Sequence, residues 1–161
     1  MATITATKSG NWSDTTVWDL ARVPADGDDV ALAGYDIVWD TGVTRIPATG
    51  TLTSITSTGT DGQITLALDN AAFHDGAELY CTTIQAGTKP ATSGILLVTG
   101  DTYHALTITC GTTAGTGISG GSGGNGAYGI YLKTSGTINI VGRIAGGAKN
   151  DTYGMFIDTL A

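Results

Sequence analysis

Ten residues late in the chain, AYGIYLKTSG (127–136), return in altered form as TYGMFIDTLA (152–161). Two fainter copies come earlier, GQITLAL (62–68) and SGILLVTG (93–100), so Ile64, Ile95, Ile130 and Met155 act as anchors 31, 35 and 25 residues apart. A second strand-like phrase follows each of the first three anchors: GAELYCTTIQAGT (76–88), YHALTITCGTT (103–113) and GTINIVGRIAGG (136–147). GTLTSITSTGT (50–60) is an earlier member of that set. Irregular repeats of this length, each holding short strands between Gly, Asn and Asp turns, point to coils stacked along an axis. The expected fold is therefore all-β, a right-handed parallel β-helix. The competing architecture, a β-sandwich, would instead set these phrases in antiparallel hairpins.

Strand alternation gives the stack its faces, because successive side chains leave a strand on opposite sides. If the anchors point inward, so do Leu66, Leu97, Leu132 and Ile157, and both inward columns are aliphatic or Met. The intervening columns then run Thr65, Leu96, Tyr131, Phe156 and Ala67, Val98, Lys133, Asp158. The first of these begins polar and ends large and apolar. An outward apolar stripe of that kind usually has a cover. Leu96, Val98, Tyr131 and Phe156 are accordingly the expected contacts with another copy of the chain or with a partner.

Composition agrees with strands. There are 25 Gly and 29 Thr but one Glu, at position 78, so strong helix formers are scarce while β-branched residues abound. A net charge of −7 without any Lys/Arg cluster argues against nucleic acid and anionic membrane surfaces as partners. The N-terminal segment has no apolar core of signal-peptide length, and no run approaches the roughly 20 apolar residues of a membrane span. Two cysteines, Cys81 and Cys110, are too few for a disulfide framework and read as buried thiols. In register they stack; aligning Leu79 with Leu106 would instead set Cys81 over Ile108.

Residues 1–40 differ from the repeats in holding all three tryptophans, and 9–40 contains seven of the fourteen acids. The first coil of a stack exposes core side chains and unpaired backbone, so it needs a lid. Trp12 and Trp18 suit that role, with Ser13 or Asp14 capping a short helical turn and Pro24 with Asp26-Gly27-Asp28 turning into a strand. The order Gly10-Asn11-Trp12-Ser13-Asp14, Trp18, Val23-Pro24, Gly27-Asp28-Asp29-Val30, Ile37-Val38-x-Asp40 resembles the N-terminal capping segment of right-handed parallel β-helices in phage virion proteins and bacterial surface adhesins. It is also similar to the start of G8-type domains. The resemblance covers about a quarter of the chain and implies a structural or surface-binding role, with association into trimers. It carries no catalytic residues over. The expected organisation is a cap with its opening strands at 1–40 and coils at 41–161, about four in number, with a Gly-rich excursion at 111–126. The last coil is left partial, which fits either an N-terminal piece of a longer protein or an end that docks onto another subunit.

Candidate chemistry is sparse. Gly115-Thr116-Gly117-Ile118-Ser119-Gly120 matches GxGxxG, yet the glycines that follow cannot start the helix that holds a pyrophosphate. His74, Cys81, His104 and Cys110 suggest zinc, but six or seven residues of extended strand separate each pair too far for tetrahedral ligation. Asp69, Asp75, Glu78 and Asp101 fall in turns and are the best acid pair for glycoside hydrolysis, although turn carboxylates commonly bond backbone N–H groups. Asp26, Asp28 and Asp29 lack EF-hand spacing and read as a turn rather than a calcium site. The Thr-x-Thr pairs at 51/53, 56/58 and 107/109 do not recur in each coil, which argues against an ice-binding ladder. No metal, no cofactor and no enzymatic activity are expected. The expectation is a structural protein of a phage virion that self-associates and docks to other virion proteins. The alternative is a β-helix that binds or cleaves a surface glycan.

Overall fold

The structure is a computed structural model, described here for residues 2–40, 43–56, 64–67, 76–85, 95–98, 105–120, 130–133, 137–146 and 155–157. The chain opens with β1 (Thr3–Thr5) and β2 (Gly10–Asn11), makes a 3-10 turn at Thr15–Val17, and adds β3 (Asp29–Ala31) and β4 (Ile37–Val38). A new kind of strand, β5 (Arg45–Ile46), then precedes β6 (Leu52–Thr56) and β7 (Ile64–Ala67). The nine-residue β8 (Ala77–Gln85) leads to β9 (Ile95–Val98). Two further circuits follow: β10 (Ala105–Thr109), β11 (Gly117–Ser119) and β12 (Ile130–Lys133), then β13 (Thr137–Val141), β14 (Ile144–Ala145) and β15 (Met155–Ile157). The protein is thus all-β apart from one short 3-10 turn among the described residues.

Every ladder between these strands is parallel, and the pairings form three columns. The first runs β1, β3, β6, the second half of β8, β11 and β14. The second runs β2, β4, β7, β9, β12 and β15. The third starts later, with β5, the first half of β8, β10 and β13. Parallel neighbours cannot be joined by a tight hairpin; here at least one strand of another column intervenes in sequence between each pair. The repeat anchors Ile64, Ile95, Ile130 and Met155 are successive partners, as their spacing predicts, and Ile37, which the repeats did not include, pairs beside Ile64. The antiparallel hairpins of a sandwich are not found among the described strands.

Register explains the core. In the first column Ile4, Val30, Ile55, Ile84, Ile118 and Ile144 are successive partners, and the first five are at most 1 % exposed. In the third, Ile46, Leu79 and Ile108 are equally buried, with Ile140 packed against them. Aliphatic residues suit such columns because they tile a pleated surface, and full burial stabilises by about 1.5–3 kcal/mol for each side chain. Ile144, 37 % exposed, lies on the last described level of its column.

One sequence expectation needs correction and another needs extending. Residues 117–119, placed in a Gly-rich excursion over 111–126, instead form β11, with Ile118 fully buried between Ile84 and Ile144. Gly117 is there for closeness: its φ is +90° and a Cβ would stand 2.3 Å from Arg143 O, so a side chain would wedge adjacent levels apart. Among the described residues the first two columns hold six levels, four of them within 41–161 and two more from the first forty residues, whose two- and three-residue strands pair directly with the later ones. The register in which the two cysteines stack is the one found: Leu79 pairs with Ile108 and not with Leu106. That register sets Cys110 next to Cys81, just past the Tyr80–Thr109 pair, and both thiols are buried and free.

Candidate functional site

The N-terminal end is built by the acid-rich segment. Asp14 caps the 3-10 turn, its carboxylate accepting from Thr16 N at 2.8 Å and Thr16 Oγ1 at 2.6 Å; these bonds hold its pKa below the usual carboxylate value. That turn delivers 17–19 to the outer edge of β1, where Thr7 N donates to Val17 O, Asp19 N donates to Thr5 O, and Ala6 and Trp18 form an antiparallel bridge. A strand edge that would accept a foreign strand is thereby occupied. Trp12 and Trp18 meet edge-to-face at 5.1 Å, both 2 % exposed, and Trp18 Nε1 donates to Trp12 O at 3.0 Å. Asp40 then ties Ser13 through its amide and hydroxyl at 3.0 and 2.5 Å.

Asp26, Asp28 and Asp29 are each spent on the fold. Asp26 accepts from Thr51 N and Asp29 from Ser54 Oγ. Asp28, 3 % exposed, accepts from Arg22 through both terminal nitrogens (2.6 and 3.1 Å), from Ala25 N at 2.8 Å and from Ala2 N at 3.2 Å. The Arg22 hydrogen bonds, helped by the two amides and by the guanidinium charge, outweigh burial and hold the Asp28 carboxyl down to about 2. Among the described residues no cluster of three His, Cys, Asp or Glu could hold a metal ion. His74, His104, Asp69, Asp75 and Asp101 lie outside the described residues. Glu78 sits on the third column, 3.9 Å from Arg45 Nε.

The expected contact residues share backbone register. Thr65, Leu96, Tyr131 and Phe156 are successive partners in the second column, as are Ala67, Val98 and Lys133. Asp158 lies outside the described residues. The GxGxxG segment enters β11, so it offers no helix N-terminus for a phosphate.

One feature had no clear signal in the sequence. A cleft of about 490 Å³ opens between 23–25 and 43–49, with Trp12 and Ser13 on its wall. Arg45 is among the lining residues, donating to Pro47 O at 2.6 Å and Gly50 O at 2.7 Å, with its guanidinium 4.0 Å above the Tyr80 ring. Pro24, a residue without an N–H, was the available hint that the chain leaves the ladder there.

No helix among the described residues is long and apolar enough to cross a membrane. Compared with protein-family models, with curated proteins and with solved structures, the chain matches none.

Proposed function

We propose that the chain winds as a right-handed parallel β-helix closed at its N-terminal end by Trp12 and Trp18. In this reading it serves as a non-enzymatic structural component of a phage particle, a decoration, tail-associated or spike protein. It associates with copies of itself, as a trimer, and docks to other virion proteins. The observation that carries the reading is the shared register of Leu96, Tyr131 and Phe156, flanked by Val98, which gives one flank of the second column an apolar sequence across three levels. Large apolar residues aligned in this way serve contact between macromolecules better than they serve chemistry. The spending of the N-terminal acids on caps and turns agrees with a scaffold rather than an active site.

Light scattering on the purified chain tests the association. The expected mass is three times that of the chain, falling to one with Tyr131→Ser and Phe156→Ser combined. A strictly monomeric protein at high concentration would remove the basis for the proposal. Antibody labelling of assembled phage particles tests the location, with decorated particles expected and unlabelled ones counting against it.

A further inference from the structure

The third column begins two levels after the other two, and its first strand has an open side. Glu78 N donates to Thr44 O at 3.0 Å while Arg45 is the residue in register with Glu78. In a parallel ladder this pattern turns Thr44 and Ile46 toward β8 and sends the N–H and C=O of Arg45 to the opposite edge. Among the described residues neither group has a backbone partner. The segment that precedes β3, where another strand of this column would run, does not complete the ladder: Pro24 has no N–H, and Ala25 N is taken by Asp28. The cleft lies between that segment and β5.

We propose that this cleft binds an extended peptide strand from a partner protein, which adds to the open edge of β5 as a further strand of the third column. Three observations specify the occupant. A donor and an acceptor on the same edge residue, Arg45, are matched together by another extended backbone. Val23, Pro24, Val43 and Ala48 give the wall an apolar character that suits aliphatic side chains. The Arg45 cation is already committed to Pro47 O, Gly50 O and the Tyr80 ring, so an uncharged segment fits better than an acidic one. The partner chemistry is that of the column's own strands, aliphatic residues alternating with threonine as in Ala105–Thr109. The lateral stripe through Tyr131 and Phe156 plays no part in this inference.

The probe is the acetylated and amidated peptide Ala-Leu-Thr-Ile-Thr, titrated into the isotopically labelled chain and followed by amide NMR. Saturable binding is expected, with hydrogen exchange at the Arg45 amide slowed at least tenfold at saturation. Two further peptides carry N-methyl groups on alternate amides. The set whose amides face β5 should bind at least tenfold more weakly, and the other set should bind as the parent does. Absence of binding at millimolar peptide, an unprotected Arg45 amide at saturation, or an equal effect of the two methylated sets would each overturn the proposal.

Discussion

The Asp28 carboxylate holds Ala2, Arg22 and Ala25 around one buried point. Its folded pKa, about 2, lies below the 3.8 of a free side chain, so it contributes stability that is complete above about pH 4 and is lost as pH falls through about 2. Asp28→Asn should therefore cost about 2–3 kcal/mol at pH 7, in line with loss of charge-assisted hydrogen bonds. The difference from wild type should shrink between pH 4 and pH 2. Urea melts of both proteins across that range check it; a constant gap down to pH 2 would assign the loss to something other than ionisation. At this scale the sequence was partly legible. Asp14 as a cap and Asp26-Gly27-Asp28 as a turn follow from side chains that bond nearby amides, but the reach of Asp28 to Ala2 does not, because it joins residues brought together by stacking.

At the scale of the strand, the first column turns one change into a graded test of burial. Ile84 is fully buried between Ile55 and Ile118, whereas Ile144 is 37 % exposed. Ile84→Ala should cost about 3–4 kcal/mol, because a cavity remains between neighbouring levels, and Ile144→Ala about 1 kcal/mol. Thermal and urea melts of the two variants check the ranking, and equal losses would contradict it. The second-column strands could be read in advance because anchor and alternation coincide in ITLA, ILLV, IYLK and MFI. β11 could not. Its Gly-Ile-Ser is too short to show alternation and sits among glycines that locally describe a loop; its strand character comes from the ladders on either side.

Across the whole molecule, parallel ladders join each strand to those beside it in its column, so opening is expected to proceed from the less covered strands inward. The two thiols report this. Cys81 is fully buried, and burial pushes it up to about 12, leaving about one thiolate in 10⁴ at pH 8. Burial raises Cys110 as well, but it is 8 % exposed and lies one level nearer the exposed Val141 and Ile144. Neither should react with a thiol reagent in the native protein at pH 8, and both should react in strong denaturant. At intermediate urea Cys110 should label first; simultaneous labelling would show that the levels open together.

Alternation and recurrence, which are properties of the chain itself, determined that this protein is built of strands and which residues recur at equivalent places, because side-chain direction in a strand depends on position alone. The number of levels, the late start of the third column, the four-donor hold on Asp28 and the cleft beside Arg45 were decided by tertiary structure. Each depends on how far neighbouring turns of chain approach one another, a distance set by glycines, buried side chains and backbone pairing acting together rather than by any local run of residues.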